Sequence, residues 1–128
     1  MDHEFSADQV AAFSERFTDE YTVISVLFGR GNPDAGGEHW NFSVAPNEGN
    51  EVCTVKEVQQ HTIYGGISSV LLSRERFVVE FDEVGEEEIG LHRLQINLPS
   101  EIEDWSAVVS MAQQVFESVP RSKIENAA

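Results

Sequence analysis

A chain of 128 residues with one cysteine is the size of a single domain that buries one core without disulfides or a structural metal. It carries 23 acidic against 8 basic residues, a net charge of −15, which repels phosphate backbones and excludes direct binding to nucleic acid or anionic membranes as a first reading. No apolar run approaches the roughly 20 residues of a membrane span, and Met1-Asp2-His3-Glu4 is acidic where a signal peptide is basic, so a cytoplasmic protein is expected.

Ser6 and Gln9 have the spacing of a capping box, and Val10, Phe13 and Phe17 recur at three- and four-residue steps, which predicts a first helix from about Ala7 to Phe17. Tyr21 to Phe28 is rich in β-branched and aromatic residues and reads as a strand. It runs into a breaker-rich segment, Gly29 to Gly37, expected to be a long mobile loop. Trp40, Phe42 and Val44 alternate with His39, Asn41 and Ser43 in a second strand that ends at Pro46-Asn47-Glu48-Gly49-Asn50. Glu51 to Gln60 mixes β-branched and polar residues, as an edge strand does, and Cys53 within it reads as a small buried side chain.

Ile63 to Phe81 is the stretch around which the rest is placed. Ile67, Val70, Leu71 and Leu72 are too continuously apolar for a strand with one wet face, whereas Phe77, Val79 and Phe81 alternate with Val78, Glu80 and Asp82. A central hairpin follows, its first strand interior and its second facing water on one side. Gly65-Gly66 reads as a bend, or as a place where a large neighbour such as Trp40 lies on the backbone. Val84 to Gly90 predicts one helical turn with a glycine stop. Leu94, Ile96 and Leu98 predict a half-buried strand ended by Pro99. Ser100 and Glu103 form another capping-box pattern, and Ile102, Trp105, Val108, Val109, Ala112, Val115 and Phe116 form the apolar stripe of a long C-terminal helix. Residues 121–128 are expected to be a frayed tail.

The order of elements does not alternate as βαβ units do. The expected fold is α+β: an antiparallel sheet of about six strands with an N-terminal helix and a long C-terminal helix packed on one face, as one domain over 1–128. His3, His39, His61 and His92 are scattered, without the spacing of a metal site, and Ser68, Ser69 and Ser73 lie outside any nucleophile elbow, so neither cofactor, metal nor catalytic residues are expected. Six carboxylates fall in the nine positions from Glu80 to Glu88. Such a run is either a solvated face or a surface for a basic partner.

The succession Ile63-Tyr64-Gly65-Gly66-Ile67 to Leu71-Leu72-Ser73, Phe77-Val78-Val79-Glu80-Phe81, an acidic stretch ending Ile89-Gly90-Leu91, then Leu94-Gln95-Ile96-Asn97-Leu98 and a helix with Val108 and Phe116, resembles the tenth immunity-protein family of bacterial polymorphic toxin systems. The likeness covers Val52 to Phe116. It implies a cytoplasmic protein, not an enzyme, that binds and neutralises a cognate toxin domain. A basic toxin fits the charge, and Asp82, Glu83, Glu86, Glu87 and Glu88 are then the candidate partner-binding residues. Two other readings stand beside it: a small-molecule-binding domain or enzyme, its pocket between the sheet and the first helix with His61 and Tyr64 at the mouth, and a homodimer joined through the sheet edge at Val52 to Val58.

Overall fold

A computed structural model describes residues 2–46, 49, 51–57 and 61–125. The fold is α+β, with ten strands in two sheets and two α-helices. The chain opens with β1 (Asp2–Ser6) and runs through β2 (Gln9–Thr18), β3 (Tyr21–Arg30), β4 (Glu38–Val44), β5 (Cys53–Lys56) and β6 (His61–Tyr64). It continues with β7 (Ile67–Leu72), β8 (Arg76–Phe81), α1 (Glu83–Ile89), β9 (Arg93–Asn97), α2 (Trp105–Val115) and β10 (Arg121–Ile124). Strands β2 to β6 form an antiparallel meander in chain order. The other sheet has the order β1-β9-β8-β7-β10, in which β1 lies parallel to β9 and β10 parallel to β7. Among the described residues no helix is long and apolar enough to cross a membrane.

The expected first helix is a strand. Val10 and Ala12 point inward at a period of two, opposite Phe28 and Val26 of β3, while Phe13 and Phe17 stand exposed. Their helical spacing is incidental, because antiparallel pairing of nine residues with β3, broken only by a bulge at Phe17, satisfies this backbone and helical propensity gives way to it. The sheet therefore numbers two rather than one. The binding pocket imagined between the sheet and that helix has no counterpart.

The hairpin prediction holds for β7 and β8, joined at Ser73, whose N–H donates to the Arg76 carbonyl. Ile63 and Tyr64 belong instead to β6 in the other sheet, and Gly65-Gly66 is where the chain crosses between sheets. Strand β7 is interior, flanked by β8 and β10. Its outward face still meets solvent at the half-buried Ser69 and Leu71, whereas Val78 on β8 is only 7% exposed. Val52 to Val58 is not an edge: β5 is paired on both sides, by β4 and β6, and Val58 lies outside the described residues. Cys53 is half-buried rather than buried.

Gly29 continues β3, and the remainder of the expected long loop is a compact connection. Its 3-10 turn at Pro33–Ala35 is capped by the Asn32 side chain, which accepts from the Asp34 N–H at 2.9 Å. The C-terminal helix starts at Trp105, later than the capping-box pattern placed it. Arg74 donates to the carbonyls of Pro99 (2.9 Å) and Ser100 (2.7 Å), which holds this stretch in an irregular conformation. The start is then made at Asp104, with φ of 53° and no side-chain cap. Where a frayed tail was expected, β10 pairs with β7 from Arg121 to Ile124. The last residues of that tail, 126–128, lie outside the described ones.

One core serves both sheets and α2. Phe77 of β8 stacks on Phe28 of β3 (centroids 4.3 Å apart, planes at 9°) and meets Phe42 of β4 edge-on at 5.2 Å. Phe116, just past α2, closes the cluster 5.5 Å from Phe77 and 5.6 Å from Phe42. All four rings are fully buried. A polar strut accompanies them: the carboxylate of Glu38 on β4 is buried and accepts from Trp40 Nε1 at 2.7 Å, and His3 Nε2 on β1 lies 2.7 Å from the same oxygen. A carboxylate only accepts, so the His3 proton sits on Nε2. The strut joins the two sheets across their end.

Two stability outcomes follow. Phe77→Ala is expected to cost about 3–5 kcal/mol in denaturant unfolding, and Trp105→Ala measurably less, because Trp105 is only partly buried. Equal losses would show that α2 anchors the core as strongly as β8 does. His3→Ala is expected to cost about 1–3 kcal/mol by leaving the buried Glu38 short of a donor. An unchanged midpoint would show Glu38 satisfied without the strut.

Candidate partner-binding surface

Five carboxylates expected to meet a partner are gathered by α1, a seven-residue helix between β8 and β9. Asp82 caps its start: the side chain accepts from the Gly85 N–H at 2.8 Å, and its own N–H donates to the Gly66 carbonyl at 2.9 Å. Gly90 ends it in the left-handed conformation (φ 82°), donating to the Glu86 carbonyl. Ile89 and Gly85 face inward and are buried. The remaining turn faces solvent.

Two glycines fix where this helix sits. A Cβ on Gly85 would strike the carbonyl of Gly66, and a Cβ on Gly66 would lie 2.8 Å from the Gly85 Cα. Gly66 also holds φ at +77°, a region that a side chain disfavours. Gly65-Gly66 is therefore the bend expected, but the neighbour lying on its backbone is Gly85 of α1 rather than Trp40. The backbone contact and the Asp82 to Gly66 hydrogen bond together press α1 onto the crossing between the sheets.

The exposed face of α1 carries Asp82, Glu83, Glu87 and Glu88, with Val84 among them at 62% exposure. Glu83, Glu86, Glu87 and Gly90 border a shallow open basin. Glu86 differs from the others in being half-buried, its Oε1 lying 3.2 Å from His92 Nδ1. Thus Glu83, Glu87 and Glu88 stand outward, Asp82 is exposed but accepts from the Gly85 N–H, and Glu86 is tied to His92. Val84 was not singled out as a contact residue, although an apolar side chain within an acidic run is the signal that marks it. Glu83 and Glu86 in the first turn favour the helix dipole, whereas Glu87 and Glu88 in the last turn oppose it with no cation nearby in the helix.

The other histidines occupy structural positions. His39 Nε2 lies 2.8 Å from the Gly31 carbonyl, and its Nδ1 is 3.8 Å from Glu57. His61 is exposed at the start of β6, and Tyr64 ends the same strand with its ring in solvent. Among the described residues no three His, Cys, Asp or Glu side chains are placed to share a metal ion. Comparison with protein-family models, with curated proteins and with solved structures gives no match.

Gly85→Ala tests whether the glycine contact positions this surface. The added methyl is expected to push α1 off Gly66 and destabilise the domain by about 1–3 kcal/mol. Amide exchange should quicken first in residues 83–90, and uniform exchange there in variant and parent would show that α1 docks by Ile89 alone.

Proposed function

We propose that the protein is an immunity protein, binding and neutralising a basic bacterial toxin domain in the cytoplasm through the exposed face of α1. The observation that carries this reading is the placement of Glu87 and Glu88. They lie in the last turn of a rigidly docked helix where the dipole disfavours them, beside the outward Val84, so the surface is acidic at some cost to its own stability. Sites under functional constraint are where such local costs are retained. The net charge of −15 and the resemblance of Val52 to Phe116 to the tenth immunity-protein family support the same reading.

Within this reading the division of labour is physical. Exposed Glu83, Glu87 and Glu88 steer a cationic surface into contact, and Val84, desolvated on docking, contributes to how slowly the complex separates. Screening shortens the reach of exposed charge from about 8 Å at physiological salt to about 3 Å at molar salt. The association rate therefore falls steeply over that range while dissociation changes little.

The test is binding kinetics against a basic toxin domain, sought first in the coding neighbour. The charge reversals Glu87→Lys and Glu88→Lys together are expected to slow association about tenfold or more at low salt and to leave thermal stability equal or higher, since cations suit that end of the helix. Adding Glu86→Lys also removes the His92 contact, so the double variant is the cleaner probe. Equal association rates for parent and double variant would assign the α1 run to solvation.

A further inference from the structure

Eight cationic side chains serve the whole chain, and four of them, Arg76, Arg93, Arg121 and Lys123, line one groove on the outward face of the mixed sheet. The register explains the gathering. Across the strands, Arg93, Glu80, Ser69 and Arg121 form one row, and Gln95, Val78, Leu71 and Lys123 form the next. Arg76 stands two residues along β8 from Val78, on the same face. Neighbouring strands are about 4.8 Å apart, so the cations ring an apolar floor made by Val78 and Leu71. The groove is open to solvent along its length, spans about 590 Å³ and shares no residue with the basin on α1.

The charges here are unspent. Among the described residues, Arg76, Arg93 and Arg121 form no ion pair, in a chain with 23 carboxylates to choose from. Arg93 donates only to Gln95 Oε1, at 3.1 Å, and Lys123 lies 3.6 Å from Glu125 at the rim. The one carboxylate lining the groove, Glu80, accepts from Ser69 Oγ at 2.9 Å, while Asp2 and Glu4 follow on β1 beyond Arg93. Surface ion pairs form readily when opposite charges are close, so three guanidinium groups outside any ion pair, with Glu80 the one carboxylate among them, are a place kept for an anion from outside.

We propose that this groove binds a small organic oxyanion, a phosphomonoester or a carboxylate joined to an apolar group. The guanidinium groups take the oxyanion and the Val78 and Leu71 floor takes the apolar part. The volume is that of a small-molecule site. A polyanion such as nucleic acid or an acidic protein would face the net −15 of the rest of the chain, whereas a ligand with one or two charges meets chiefly the local cations.

The experiment is a titration of the full chain, labelled with nitrogen-15 and followed by amide shifts at constant ionic strength. Its probes are phenyl phosphate, benzoate, inorganic phosphate and benzyl alcohol. Phenyl phosphate or benzoate is expected to shift the amides of residues 69–71, 76–80 and 121–123 saturably, about tenfold more tightly than inorganic phosphate, with no effect from benzyl alcohol. The tighter of the two probes identifies the oxyanion as phosphoryl or carboxylate. Arg93→Gln with Arg121→Gln is expected to weaken binding about tenfold or more at an unchanged melting temperature. Lys123→Gln, on the exposed edge strand, repeats the test with a smaller loss should that pair unfold the sheet. Binding of inorganic phosphate as tight as that of phenyl phosphate, shifts scattered over the surface, or affinity intact in the folded variants would overturn the proposal.

Discussion

Phe77 is the residue on which the two sheets depend. Its ring lies flat on Phe28, edge-on to Phe42 and against Phe116, so one side chain from the mixed sheet touches two from the meander and one from the end of α2. Each sheet alone has one apolar face and no means of burying it. The arrangement works because β8 is the middle strand of its sheet and β3 and β4 lie inside theirs, which puts the cluster at the centre of both inner faces. Helix α2 covers what the mixed sheet leaves open, touching β2, β3 and β4 as well as β10. Aromatic pairs at these separations contribute beyond their area, and here they also set how the sheets meet.

From that centre the outward surfaces inherit their chemistry. Because Phe77, Val79 and Phe81 must face inward, Arg76, Val78 and Glu80 face outward, and the same alternation on β9 turns Arg93, Gln95 and Asn97 to the same side. A polar ladder runs there from Gln95 to Asn97 and on to Glu4 of β1. The acidic helix has a different origin. It hangs from the end of β8 and is located by the approach of Gly85 to Gly66 and by the buried Ile89, which leaves Glu83, Val84, Glu87 and Glu88 outside the core. Exposed residues on such an element can vary without disturbing the core.

The strands with two-residue periodicity, β4, β8 and β9, were legible in the sequence, as were α1 with its glycine stop and the apolar stripe of α2. What escaped was whatever depends on pairing. Val10, Phe13 and Phe17 match a helix by spacing and a strand by environment, and only the register with β3 decides between them. The two outer strands of the mixed sheet, β1 and β10, are short, polar and parallel to partners distant in the chain, so nothing local marks them. Missing β10 also hid Arg121 and Lys123 from view as members of any site. The α1 carboxylates were readable as a group, since they are contiguous, but the tie between Glu86 and His92 required the turn at Gly90 to bring them together.

The parallel strand β1 closes late in folding. Asp2 through Ser6 pairs with Arg93 through Asn97, far along the chain, and a pairing so distant in sequence is slow to close. Until then β1 waits as a strand with unpaired backbone, the kind of segment that templates association with other chains. The carboxylates of Asp2 and Glu4, on the face opposite His3 and Phe5, disfavour such encounters. Negative charge on β1 thus guards an unpaired edge during the interval before its own sheet receives it.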